Sequence, residues 1–144
     1  MIKTVAVGTD GPETAAKAVE FAIDLAGRYE AKIVFLSAYR PVSEDRLKRE
    51  SRDAPEDVQW QINTAEDVEP ALRDAVDDAR ERGLDATCEA KEGDPSKVLV
   101  DLASKLGADV LVIGNKGMQR KVLGSVPNTV SHKADCSVVI VKTT

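Results

Sequence analysis

The chain has 144 residues, enough for one domain with a real core and too few for two comfortable ones. Its hydrophobic fraction is 42%, its charged fraction 31% and its net charge -5, the balance of a globular domain without a dominant basic surface. That charge argues against nucleic acid as a partner, and the lack of any apolar stretch near the roughly 18 residues that cross a bilayer argues against a membrane.

The first element is "IKTVAVG" (2–8), a strand expected to begin almost at once, so that no targeting segment is expected before it. Cys88 and Cys136 stand far apart and in no CxxC spacing, so the expectation is a cytoplasmic chain with two reduced, buried thiols. A helix from about Pro12 to Tyr29 follows the first strand, with Ala15, Ala18, Val19, Ala22, Ile23 and Ala26 on one face. The second strand is "AKIVFLSAY" (31–39). Residues 40–67 are polar, irregular and contain Trp60, as expected of a functional loop, a lid or a partly helical excursion.

Val68, Leu72, Ala75, Val76 and Ala79 then recur at helical spacing. "LDATCEAKEG" (84–93) alternates like a half-exposed strand and is expected at the edge of a sheet. A third helix carries Val98, Leu99, Leu102, Ala103 and Leu106, with Asp94 suited to its N-cap and Pro95 to its first turn. "ADVLVIG" (108–114) and "CSVVIVK" (136–142) are near-continuous apolar runs, and Leu123, Val126, Val130 and Ala134 fit a helix between them. The order β-α-β-α-β-α-β-α-β predicts an α/β fold, a doubly wound parallel sheet of five strands covered on both faces. A single domain over residues 1–144 is expected.

In such a sheet, ligands bind beyond the carboxyl ends of the strands, where the strand order reverses. "VGTDGPE" (7–13) and "GNKGMQRKVLGSVPNTV" (114–130) both leave such ends, and they line one crevice if their strands are neighbours. Gly114 and Gly117 allow close backbone approach, Ser125 suits an N-cap, and Pro127 falls where a missing N–H costs nothing. A helix starting near Ser125 aims free N–H groups at the glycine loop, and Lys116, Arg120 and Lys121 raise the positive potential there. Phosphate is the natural ligand for such a loop, although the same residues also suffice for an ordinary strand-to-helix turn. The spacing is neither GxGxxG nor GxxxxGK[ST], so neither a dinucleotide fingerprint nor a P-loop is present.

Asp10 has two readings, as a cap for the first helix or as a carboxylate for a ribose hydroxyl or a metal-bound phosphate. His132, the sole histidine, excludes a histidine metal cluster. It lies seven residues after Ser125, about 10.5 Å along a helix, too far for a nucleophile–base pair. A surface or interface position is expected for it.

Taken together, "VAVGTDGPETAAKAVEFAIDLA", "VIGNKG" and "LGSVPNTVSHKADCSVVIVK" resemble the universal stress protein family over essentially the whole chain. The resemblance implies strand order 3-2-1-4-5, the fold of adenine nucleotide alpha hydrolase-like proteins, and a homodimer through the last strand. It also implies a small stress-response or signalling module that binds ATP, AMP or cyclic AMP, with or without Mg2+, and is not an enzyme. By position, Gly8, Thr9 and Asp10 lie along the nucleotide near adenine and ribose, and Ala38 and Ile113 border the base. Gly114, Lys116, Gly117, Gly124, Ser125 and Val126 surround the ribose and phosphates.

One feature departs from the family signature G-x2-G-x9-G-[ST]. Between Gly117 and Gly124 lie six residues, "MQRKVL", instead of nine. Three fewer residues remove about 10 Å of extended reach, or about 4.5 Å of helix, so the phosphate pocket is expected to be smaller or differently shaped. The alternative expectation is an interaction or protective dimer that no longer binds nucleotide because of this shortened loop. A slow ATP hydrolase is the third, with Asp10 the sole local candidate for its base.

Overall fold

Residues buried on both sides of a sheet need apolar side chains at every position, and the β-branched runs meet that demand. In the computed structural model, which describes residues 1–9, 12–39, 65–115 and 125–142, they form β1 (Thr4–Gly8), β2 (Lys32–Tyr39), β3 (Ala86–Glu92), β4 (Val110–Gly114) and β5 (Ser137–Val141). Among them run α1 (Pro12–Tyr29), α2 (Ala65–Glu81), α3 (Pro95–Lys105) and α4 (Ser125–Lys133). Every strand pairs parallel with its neighbour in the order β3-β2-β1-β4-β5. The expected doubly wound sheet is present, with β3 at one edge and the order reversing between β1 and β4.

Alternation along each strand divides the core in two. Val5, Val7, Ile33, Phe35, Val110 and Val112 pack with Ala18, Ala22, Ile23 and Ala26 of α1 and with Val68, Leu72 and Val76 of α2. On the other face, Ala6, Val34, Leu36, Leu111 and Ile113 meet Val98, Leu99 and Leu102 of α3 and Val126 and Val130 of α4. Helices on both faces make three layers. The side chain of Ala15 and the segment 40–64 with Trp60 lie outside the described residues, as does Leu123.

Three helices end in the same way. The N–H of Ala31 donates to the carbonyl of Ala26 (2.8 Å), Leu84 to Ala79 (3.1 Å) and Ala108 to Ala103 (2.9 Å). Between each pair stands a left-handed residue, Glu30 (φ 52°), Gly83 (φ 86°) and Gly107 (φ 65°). These are Schellman turns, which satisfy orphan carbonyls and send the chain straight into a strand. At the start of α3, the Asp94 carboxylate accepts from the Lys97 N–H as the expected N-cap, with Pro95 in the first turn.

Several boundaries are shorter than the sequence suggests. β1 starts at Thr4 because the N–H groups of Lys3 and Thr4 donate to Asp109 Oδ2 (2.8 and 3.0 Å). Ala108 is spent closing α3, so β4 starts at Val110. The expectation of buried thiols is corrected: Cys88 and Cys136 are free and only half-buried, because Cys88 lies on the edge strand β3 and Cys136 just ahead of the edge strand β5.

Candidate functional site

The carboxyl ends of β1 and β4 are neighbours, with Val7 opposite Val112 in the register. The two loops singled out in the sequence therefore leave the sheet side by side. Leaving β1, the Thr9 N–H donates to the Leu36 carbonyl at 2.8 Å, and the Thr9 hydroxyl donates to the same oxygen at 3.3 Å. In return, Ser37 Oγ donates to the Thr9 carbonyl at 3.0 Å. The end of β1 is thus tied to β2 one residue past the last rung of the ladder, Gly8 opposite Leu36.

Gly8 has a packing reason to be glycine. A Cβ there would stand 3.1 Å from Leu99 Cδ1 and 3.2 Å from Ile113 Cγ2. Ile113 is fully buried, and Ala38 (5% exposed) and Val126 (4%) belong to the same apolar cluster on the α3 and α4 face. Gly114 ends β4 opposite Val141, and the following Asn115 donates its N–H to the Val141 carbonyl at 3.0 Å.

Of the expected site residues, Gly8, Ala38, Ile113 and Gly114 lie on β1, β2 and β4, Thr9 follows the end of β1, and Ser125 and Val126 open α4. Asp10, Lys116, Gly117 and Gly124 lie outside the described residues, as do Arg120 and Lys121. Ser125 is already the first residue of α4 and is exposed, while Val126 and Pro127 are buried. It therefore sits in the first turn and not in the N-cap place the sequence suggested. No acidic residue stands in that turn, which leaves the helix N-terminus favourable to an anion.

Two residues missing from the expectation sit at this edge. Among the described residues, the buried polar side chains are Ser37 (3% exposed) and Asn115 (0%). Both stand at the carboxyl ends of strands, one near the end of β2 and one just past β4. Their signal was a lone polar letter inside or after an apolar run, "FLSAY" and "VIGN".

Among the described residues, three acidic groups have a shifted acidity. The backbone N–H groups of Lys3 and Thr4 hold the Asp109 carboxyl below its usual range. The Arg82 hydrogen bond does the same for Glu20, against a smaller opposing effect of burial. Burial, helped by the Asp135 charge, raises the Cys136 thiol. Arg82 also bridges toward α1 with both guanidinium nitrogens on Glu20 (3.0 and 2.8 Å). That pair borders a groove of about 490 Å³ lined by Ile23, Asp24, Gly27 and Leu84, at the far end of α1 from the switch point. Among the described residues, no group of three His, Cys, Asp or Glu could hold a metal ion, and no helix is long and apolar enough to cross a membrane.

A doubly wound sheet of this order, with the ends of β1 and β4 adjacent at its reversal point, defines the class of α/β folds that take ligands at their strand ends. The sequence profile of the Universal stress protein family matches residues 1–142, and the chain belongs to that family. It is 38% identical over 146 residues to the universal stress protein Rv1636 of Mycobacterium tuberculosis, covering 99% of this chain and 97% of that one. A universal stress protein solved in complex with cAMP is 31% identical, with a TM-score of 0.73 and coverage of 99% of this chain and 98% of the other. A family protein of Arabidopsis thaliana solved with AMP bound shares the fold at 18% identity and TM-score 0.70, over 99% of this chain and 92% of its own.

Proposed function

We propose that the chain is a non-catalytic adenine-nucleotide-binding module of the stress response, acting in the cytoplasm as a homodimer. The observation that carries this reading is the likeness to the cAMP-bound universal stress protein, 31% identical across nearly the full length of both chains. The residues at the switch point fit such a ligand. Gly8, Ala38 and Gly114 are small, and the first turn of α4 carries no carboxylate to repel phosphate.

The six-residue spacing between Gly117 and Gly124 favours a nucleotide with a short phosphate chain, AMP or cyclic AMP, over ATP. The homodimer is supported by β5, an edge strand in which Val138, Val139, Ile140 and Val141 are only half-buried. The shortened loop also supports a second reading, an interaction or protective dimer without nucleotide.

Calorimetric titration with AMP, cyclic AMP and ATP, each with and without Mg2+, separates the two. Saturable binding is expected, tighter for AMP or cyclic AMP than for ATP. No binding of any of the three at millimolar concentration overturns the nucleotide reading and leaves the second. Phosphate release from ATP, measured beside an Asp10→Ala control, tests the absence of catalysis.

A further inference from the structure

We infer that Ser37 is a positioning residue of the nucleotide crevice, acting through Thr9; the inference rests on the nucleotide reading above. Ser37 belongs to β2, a strand buried on both faces, where an alanine or valine would fill the space without a polar group to satisfy. A hydroxyl only 3% exposed is tolerable because it donates to the Thr9 carbonyl at 3.0 Å, a contact between residues 28 apart in sequence.

The bond falls where the sheet stops holding β1. The β1–β2 ladder ends with Gly8 opposite Leu36, and beyond it the chain must turn away toward α1. Thr9 meets Leu36 through its N–H (2.8 Å) and hydroxyl (3.3 Å), and Ser37 closes the ring by taking the Thr9 carbonyl. Both ends of the Thr9 residue are then tied to β2: its amide to Leu36 and its carbonyl to Ser37. The carbonyl of Thr9, the last described group on this side of the crevice, therefore has a fixed direction. Buried polar side chains among the described residues occur only at this crevice edge, which suits an ordering role better than a general structural one.

The hydroxyl lies on the β1–β2 side, whereas the phosphate end belongs to β4 and α4. Ser37→Ala is therefore expected to weaken AMP, cyclic AMP and ATP by the same factor, about three- to tenfold for one lost hydrogen bond. In the free protein, the same substitution is expected to speed hydrogen exchange of the Thr9 amide about tenfold, leaving the Val5 to Val7 amides unchanged. Ser37→Cys, close in size with a weaker donor, is expected to fall between the two, and serves if the alanine variant folds poorly.

Unchanged Thr9 exchange overturns the inference whether or not nucleotide binds. A wild-type protein that binds none of the three nucleotides refutes the nucleotide reading and with it the crevice role of Ser37. Wild-type binding with unaltered affinity in Ser37→Ala overturns the inference alone, and so does a loss that differs from one nucleotide to another.

Discussion

Leu99 Cδ1 lies 3.1 Å from the point where a side chain on Gly8 would begin, so a helix of one layer rests directly on the backbone of the central strand. Leu99 and Ile113, the two neighbours, are both fully buried. Gly8→Ala is expected to destabilise by about 1–2 kcal/mol, the overpacking strain exceeding the gain from a less flexible unfolded chain. Urea unfolding checks this. Adding Leu99→Ala, which alone costs about 2–5 kcal/mol, is expected to cost less than the sum, because it vacates the contested space. Additive losses would mean that the contact does not limit this position.

Glu30 occupies a turn that the other two helices give to glycine, at φ 52° where Gly83 and Gly107 stand at 86° and 65°. A left-handed conformation costs a side-chain-bearing residue about 1–2 kcal/mol. Glu30→Gly is expected to recover about 1 kcal/mol and to raise Tm by about 2–4 °C, measured by thermal unfolding. Gly83→Ala and Gly107→Ala should move Tm the other way. A lower Tm in Glu30→Gly would show that the glutamate is held by something stronger than its backbone strain.

Asp109 predicts an acid dependence whose sign follows from its partners. The Lys3 and Thr4 N–H groups stabilise the charged carboxylate, so its pKa is lower folded than unfolded. Its contribution is present above the unfolded value, about 3.9, and is lost as pH falls through the folded one. Asp109→Ala should therefore be less stable than wild type at pH 7, with the difference shrinking below about pH 4. A difference that stays constant down to pH 2 would remove the carboxylate as its cause.

The edge strand yields a fourth expectation. If β5 carries the homodimer interface, Val139→Lys or Ile140→Lys should convert a dimer into a folded monomer with unchanged circular dichroism. Sedimentation at tens of micromolar measures it, and a monomeric wild type would speak against dimerisation.

The layers were legible because burial on both faces writes itself as β-branched runs, and because α1 and α3 carry apolar residues at every turn. The edge position of β3 was legible too, since "ATCEAKE" mixes polar residues into a strand. The ties around the site were not. Ser37 meets Thr9 and Asp109 meets Lys3 across 28 and 106 residues, and such pairings depend on the parallel register and not on local spacing. The half-exposed thiols followed from the same limit: a cysteine in an apolar context looks buried until the neighbours of its strand are known. Ser125 was placed one position early because a Gly-Ser pair before a helix fits either cap or first turn.

The two margins of the sheet are unlike. At β3 the exposed residues include Lys91 and Glu92, whereas β5 offers valines and an isoleucine. Copies joined through β5 would cover its apolar margin and leave outward the β3 margin with its exposed Lys91 and Glu92, so growth would have a valence of one. The asymmetry that would invite a second copy would leave no comparable apolar margin for a third, so association through β5 would end in a closed pair instead of a fibre.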